Sequence, residues 1–104
     1  MVNIIDDTEP ISIGIIIEGD LEILNLSYPT NVHIGEAFSI SYTVHNLTEA
    51  DSFWGALYDS SDNVVSGSSW VQTIGTGGSL SRVINFSSGI STPFSGTLEV
   101  GHVE

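Results

Sequence analysis

The chain has 104 residues, of which thirteen are acidic, one is an arginine and none is a lysine or a cysteine, so the formal net charge at pH 7 is -12. The length fits one compact domain that can build a hydrophobic core without metals or disulfides. The lack of cysteine excludes disulfides, thiolate metal sites and thiol nucleophiles. Because Arg82 is the only strong base, we expect no nucleic-acid partner and no docking on anionic membranes.

The first twenty residues differ from the remainder of the chain because they hold five of the thirteen acids. They have no basic start and no long apolar run, so we expect neither a secretory signal nor membrane insertion. Isoleucines alternate with other residues after Pro10, which predicts a strand over residues 11–17, and Glu18-Gly19-Asp20 predicts a turn. We therefore expect an acidic arm with an attachment strand, residues 1–20, and a body, residues 21–104. The arm either caps its own sheet or adds to the edge of a neighbour's sheet. The alternating side chains of the attachment strand are Ile11, Ile13, Ile15 and Ile17.

The body has the periodicity of β-strands throughout, and no stretch of it has helical periodicity. The clearest strand covers residues 36–46, where apolar residues alternate with Ser, Thr and His, so that one face should be buried and the other wet. Turn residues recur about every 8–12 residues, as in β-sandwiches. The sequence predicts an all-β, Ig-like antiparallel sandwich of seven or eight strands with an N-terminal extension. The other predicted strands of the body cover residues 21–28, 52–58, 64–66, 70–74, 80–86 and 97–103.

Four segments of the body follow the plan of prokaryotic Ig-like modules. They are Leu26-Ser27-Tyr28-Pro29, the strand that begins after Gly35-Glu36 and ends at Asn46, the hairpin at 57–65, and Gly96-Thr97-Leu98-Glu99-Val100. With them, residues 21–103 resemble the CARDB-type (cell-adhesion-related) domains of bacterial and archaeal surface proteins, and similar sandwiches decorate tailed viruses. The resemblance implies a binding or structural module and identifies no catalytic residue.

Motifs for catalysis, metal binding or cofactor binding are weak. The three histidines, His33, His45 and His102, have no ligand-like spacing, and no nucleophile elbow or phosphate-binding loop is present. Asp59 and Asp62 lie in a hairpin turn and are weak candidates for a calcium site, although their order does not match an EF-hand. We therefore expect a protein that is not an enzyme and needs no cofactor.

The aromatic residues leave one question open. Phe53 lies on one face of its strand, and Trp54 and Tyr58 lie on the other. If Phe53 faces the core, Trp54 and Tyr58 point outward and can stack on sugars or anchor a protein interface. The alternative is that Trp54 is the buried tryptophan of an Ig-like sandwich. Trp70 is a further candidate for a contact surface.

Three segments match the acceptor pattern for N-glycosylation, which favours exposure of their asparagines in a secreted protein. The candidate acceptors are Asn25, Asn46 and Asn85.

Two functions from different classes fit these observations. The first is a structural subunit of a larger assembly, in its most specific form a virion surface or head-decoration protein that contacts other protein subunits, in a homo-oligomer or a capsid, through its N-terminal arm. A start methionine without a secretory signal favours it. The alternative is a carbohydrate-binding or adhesion module of a secreted or cell-surface protein, with a glycan as its partner.

Overall fold

The computed structural model describes residues 8–17 and 21–103, with side chains described for 11–16 and 21–103. Eight β-strands make up the regular structure of these residues. They are β1 (Thr8–Ile17), β2 (Leu21–Ser27), β3 (Asn31–His33), β4 (Phe38–Asn46), β5 (Asp51–Asp59), β6 (Trp70–Ile74), β7 (Ser79–Phe86) and β8 (Phe94–His102). No helix in this part of the chain is long and apolar enough to cross a membrane.

The strands form two sheets, which confirms the predicted all-β sandwich. One sheet has five strands in the order β3-β1-β8-β5-β6, and the other has three in the order β2-β4-β7. All pairings are antiparallel except that of β1 with β8, which is parallel from Ile11↔Phe94 to Ile17↔Val100. Two short elements differ from the prediction. The strand β3 was not predicted, and the predicted strand at 64–66 is only an isolated bridge between Tyr58 and Val64.

The inner face of the three-stranded sheet is formed largely by the apolar side chains of β4, which alternate with polar ones along the strand. Ile40, Tyr42 and Val44 are buried, as predicted, while the residues between them are partly exposed. On the neighbouring edge strand β7, Ile84 faces the same core. Arg82 lies level with Tyr42 and therefore also faces inward, at the margin of the sandwich.

The five-stranded sheet covers this core with the inner faces of β5, β6 and β8. Because their side chains are apolar and meet those of the other sheet, the two sheets exclude water between them. The buried residues of the central cluster are Leu21, Ile40, Tyr42, Val44, Phe53, Leu57, Trp70, Ile74, Ile84, Leu98 and Val100.

The strand β1 is part of the five-stranded sheet, where it lies between β3 and β8. The predicted attachment strand is thus not a separate extension, because it pairs with β8 over seven residues and Ile11 is buried in the core. Ile13 packs against the core more loosely. Residues 1–7, which begin the predicted acidic arm, and the side chain of Ile17 lie outside the described part of the chain.

Candidate functional site

Trp70, the third candidate for a contact surface, lies largely inside the sandwich and contributes only a small exposed part to the groove described below. Its side chain is only 7% exposed, and its indole nitrogen donates a hydrogen bond of 2.7 Å to the hydroxyl oxygen of Tyr42. The indole covers Gly55 of the neighbouring strand, where an added Cβ would lie 2.6 Å from Cζ2 of the ring. Only glycine leaves room for this arrangement. Burial raises the pKa of Tyr42, although the Trp70 hydrogen bond and the charge of Arg82 act against the shift.

Trp54 lies on the opposite, outer face of the same sheet, which answers the question that the sequence left open. Phe53 is 1% exposed and belongs to the core, whereas Trp54 is half-buried. The indole of Trp54 covers Gly101 of β8, where an added Cβ would lie 2.8 Å from the ring nitrogen and 3.0 Å from two ring carbons. The ring therefore rests on the outer surface of the sheet, with its other side available for contact.

A shallow groove of about 450 Å³ lies beside Trp54 on this outer face. Ala56 forms part of its floor, and Tyr58 lies on the far side of Ala56. Val64 and Val71 belong to its lining and are 49% and 69% exposed. The volume falls in the range of small-ligand sites, which is about 300–1,000 Å³. The lining of this groove includes all three predicted contact residues, Trp54, Tyr58 and Trp70, although the Trp70 side chain is almost fully buried.

The polar groups near the groove are acidic or neutral. Glu99 of β8 pairs with Ala56, and Thr97 pairs with Tyr58, so that both lie on the outer face next to the aromatic row. A carboxylate and a hydroxyl beside aromatic rings can accept hydrogen bonds from a hydroxyl-rich ligand while the rings contact its apolar face.

A second exposed apolar surface lies on β1. Ile15 is level with the buried Leu98 and faces the same side, yet it is 47% exposed, because three strands cannot cover the inner face of five. Ile16 is level with Glu99 on the outer face and is 46% exposed. We call these two isoleucines the β1 patch, although they lie on opposite faces of the sheet and do not form one continuous surface. Of the four predicted interface isoleucines, Ile15 belongs to the patch, whereas Ile11 is used inside the core.

His102 forms a close pair with Asp51 at the end of the five-stranded sheet. Its Nε2 lies 2.6 Å from Oδ2 of Asp51, and its ring meets that of Phe53 at a centroid distance of 5.7 Å. The hydrogen bond from His102, followed by that from the Ser52 backbone N–H, lowers the pKa of Asp51. Because both side chains are about half exposed, water screens the pair, and we assign it no catalytic role.

The other polar candidates serve turns and strand pairs. Oδ1 of Asp59 accepts the backbone N–H groups of Ser61 and Asn63, each at 2.9 Å, which fixes the hairpin turn. On the outer face of the three-stranded sheet, Nδ1 of His45 lies 3.0 Å from the hydroxyl of Ser79. Within residues 8–17 and 21–103, no group of three or more His, Asp or Glu side chains could hold a metal ion.

Asn46 is fully buried, which corrects its prediction as a glycosylation site. Its amide nitrogen donates to the carbonyl oxygens of Glu49, Ile74 and Gly75, and its Oδ1 accepts the N–H of Thr48. The side chain thereby joins the β4–β5 and β6–β7 loops. A glycan on this nitrogen would remove at least one of these bonds and would have no room. The other candidates, Asn25 and Asn85, are exposed.

No protein-family profile matches the chain, and no curated protein or solved structure is significantly similar to it. The resemblance of residues 21–103 to CARDB-type modules stays a prediction.

Sequence reasoning missed several residues of the two surfaces. Strand periodicity places Val64 and Val71 in strands but gives them no role, and no sequence pattern distinguishes Gly101, which lies under the Trp54 ring. The role of Gly101 depends on its pairing with Trp54, and the two residues lie on strands that are distant in sequence. The sequence contains a weak signal for Val71. It directly follows Trp70, and successive side chains of a strand point to opposite faces, so Val71 faces outward when Trp70 and Ile74 face the core.

Proposed function

We propose that this chain is a non-enzymatic structural subunit of a larger assembly, held to neighbouring subunits through its N-terminal segment. Its most specific form is a decoration protein on a virion surface, in line with the resemblance of the body to the sandwich modules of tailed viruses. The observation that carries the proposal is the exposure of Ile15 and Ile16, two large apolar side chains on opposite faces of β1 that each stay about half exposed. A partner that encloses this part of β1 would remove both from water.

The charge of the chain supports a contact at this place. Each copy carries a formal charge of -12, so copies repel each other, and the repulsion opposes contact least where the touching surfaces carry no charge. Residues 11–17 contain no charged residue, which makes this segment suited to such a contact. Salt should strengthen the assembly, since the screening length falls from about 10 Å at 0.1 M to about 3 Å at 1 M ionic strength.

The native mass of the protein tests this proposal. We expect sedimentation velocity to show an oligomer whose population rises with salt, and a double variant, Ile15→Ser with Ile16→Ser, to be a folded monomer. The matched control is Leu47→Ser with Val83→Ser, whose side chains are 60% and 55% exposed away from β1. Deletion of residues 1–17 is a poorer test, because it also removes Ile11 from the core.

Two results would contradict the proposal. One is a wild-type protein that stays monomeric at every salt and protein concentration. The other is equal loss of assembly in the β1-patch variant and in its control, which would mean that assembly does not depend on the β1 patch in particular.

A carbohydrate-binding or adhesion module is the second candidate function, and the groove beside Trp54 favours it. About four residues of extended chain separate Trp54 from Tyr58, or roughly 13 Å, so a sugar ring fits over Ala56 between them. Glu99 and Thr97 lie where they can bind its hydroxyl groups. A chain with this function would work at a cell surface or outside the cell.

A glycan array tests the second candidate. We expect any bound glycan to be lost with Trp54→Ala and retained with Trp54→Phe, which keeps an aromatic face. The control Val83→Ala removes an exposed apolar side chain from the other sheet and should bind as the wild type does. An array on which the protein binds no glycan, or binding that is unchanged in Trp54→Ala, would contradict this function.

A further inference from the structure

We propose that β1 pairs edge to edge with the β1 of a second copy, so that the two five-stranded sheets join into one across a two-fold axis. The inference rests on the proposed function, because it names the partner of the N-terminal segment and the kind of contact that holds it. The contact uses the side of β1 that faces away from β8, and each β1 keeps its place in its own sheet.

The backbone of β1 shows which of its hydrogen-bonding groups are free for a partner. The N–H group of Ile11 donates to the carbonyl oxygen of Thr30, 2.8 Å away, on the side where β3 pairs with residues 8–10. Successive residues of a strand turn their N–H and C=O groups to opposite edges. Ile13 and Ile15 therefore turn theirs to the same side as Ile11, away from β8. No described strand pairs with them on that side.

This free edge is the less protected edge of the five-stranded sheet. An edge strand with unpaired backbone groups is a template on which another strand can add, and short strands, bulges, prolines and charges protect against it. The opposite edge strand, β6, has only five residues, whereas β1 has ten. Residues 11–17 contain no proline and no charge, and their pairing with β8 is continuous. An added strand would therefore meet the least opposition here.

An added strand also accounts for exposed side chains on both faces of β1. Ile15 is 47% exposed on the inner face, and Ile16 is 46% exposed on the outer face. A ligand or subunit that rests on one face would cover only one of them. A neighbouring strand in the same sheet lies about 4.8 Å away and places its side chains beside both. One partner strand therefore removes both isoleucines from water.

The position of β3 determines the register of a symmetric pair. Because Thr30 already holds the backbone of Ile11, the segment left for a second copy is residues 13–17. Two identical antiparallel strands that pair over this segment are centred on Ile15, so each Ile15 lies opposite the other. Both of these side chains then face the inner side of the joined sheet and contact each other.

Gly14 favours a second copy as the partner. At the other three glycines in the strands of this sheet, an added Cβ would lie within 3.0 Å of an aromatic ring. They are Gly55, Gly96 and Gly101. At Gly14 the nearest atom to an added Cβ is Oγ1 of Thr97, at 3.7 Å, so no large side chain of the described residues covers it. In the symmetric register, Ile16 of the other copy lies opposite Gly14 and covers it.

The charge of the chain and the size of the contact determine the strength of the pair. Each copy has a formal charge of -12, and the uncharged segment 11–17 is where this repulsion opposes contact least. Five paired residues bury far less than the about 1,200–2,000 Å² of a stable interface. We therefore expect a weak dimer that forms at high concentration and salt, or where copies are already gathered on an assembly.

Amide hydrogen exchange tests the pairing on the unmodified protein. In dilute solution the N–H groups of Ile13 and Ile15 should exchange quickly, whereas those of Gly14 and Ile16, which face β8, should be protected. At high concentration and salt we expect exchange at Ile13 and Ile15 to slow about tenfold or more, since paired amides exchange only when the pair opens. Unchanged exchange at these two amides, in a sample that sedimentation shows to be dimeric, overturns the strand pairing.

Two single-cysteine variants test the register and the identity of the partner, since the natural chain contains no cysteine. Gly14→Cys and Ile16→Cys would face each other as a pair without mutual hydrogen bonds, whose Cα atoms lie about 4.5 Å apart, within the range of a disulfide. The cysteine at 14 has room, because its Cβ meets only ordinary contacts. We mix the two proteins at high concentration and salt under mild oxidation, and expect a disulfide-linked dimer with one chain of each kind.

Two controls accompany this mixture. Each variant alone should form little disulfide, because its two identical cysteines are diagonal neighbours about 7–8 Å apart. Ser12→Cys mixed with Ile16→Cys is the matched control, since these residues would meet only in a register shifted by two residues. We expect a severalfold excess of linked dimer for Gly14 with Ile16 over all controls, and the absence of that excess overturns the symmetric pair.

The outcomes separate this inference from the proposed function. Salt-dependent assembly that needs the β1 patch, but leaves the amides of Ile13 and Ile15 unprotected and gives no mixed disulfide, leaves the structural role intact and removes the strand pairing. A wild-type protein that remains monomeric in every condition removes both.

Discussion

Trp70 and Trp54 are held in the same way on opposite faces of one sheet, but they meet different surroundings. Each indole covers a glycine on the neighbouring strand, Gly55 for Trp70 and Gly101 for Trp54. The inner ring is enclosed by the second sheet and donates a hydrogen bond to Tyr42, whereas the outer ring faces a groove. The same local arrangement therefore stabilises the fold on one face and offers a contact surface on the other.

The largest expected effect comes from adding a methyl group under the inner ring. Gly55→Ala would place Cβ too close to the Trp70 indole, which cannot move without disturbing the core and losing its bond to Tyr42. Overpacking of this kind lowers the free energy of unfolding by about 1–3 kcal/mol, and we expect the upper end. Urea unfolding measures the change. Gly75→Ala is the control, because nothing lies within 4 Å of its added Cβ. Equal stability of the two variants would contradict the close packing of Trp70.

Removal of the hydrogen-bond acceptor of Trp70 should have the next largest effect. Tyr42→Phe leaves a buried N–H group without its partner, at a cost of about 1–3 kcal/mol in the free energy of unfolding. Because the pKa of Tyr42 is raised above 10.0 in the folded state, the wild type should lose stability as the pH rises above 10. The variant should lack that part of the alkaline decline. Urea unfolding over a series of alkaline pH values measures both effects, and parallel declines of the two proteins would count against a buried Tyr42.

The same methyl group under the outer ring should be tolerated. Gly101→Ala brings Cβ within 3.0 Å of the Trp54 indole, but this half-buried ring can lift away from the sheet. We expect a loss of about 1 kcal/mol or less in the free energy of unfolding. A larger loss, similar to that of Gly55→Ala, would show that Trp54 is packed as firmly as Trp70 and that the two faces do not differ.

The smallest effect is expected at the exposed end of the same sheet. Asp51→Asn removes the carboxylate that faces His102. The lowered pKa of Asp51 means that its contribution is present above pH 3.8 and is lost as the pH falls through the lower folded value. Because the pair is exposed, thermal unfolding at neutral pH should hardly change. Melting curves from neutral to acidic pH measure this, and a marked difference at neutral pH would mean that a partner covers the pair.

The fold could be predicted from sequence wherever one strand has one clearly apolar face. In β4, alternation alone identified Ile40, Tyr42 and Val44 as buried. In β5, both faces carry aromatic residues, and alternation shows which residues share a face without showing which face is inward. The answer depends on the pairing of β5 with β6 and β8, which is a property of distant segments.

The candidate surfaces were predictable only in part, for the same reason. The isoleucines of β1 could be recognised as one apolar strand, but their burial depends on how far the three-stranded sheet extends. Asn46 matched an acceptor pattern of three residues, while its burial follows from carbonyl groups that lie about thirty residues away in the chain.

Arg82 gives the edge of the three-stranded sheet a further property. It is the only strong base of the chain and lies on β7, an edge strand, with its side chain on the inward side. A charge that points inward on an edge strand opposes the addition of another strand, because it would have to be buried. We therefore expect this edge of the sandwich to resist edge-to-edge association with another sheet.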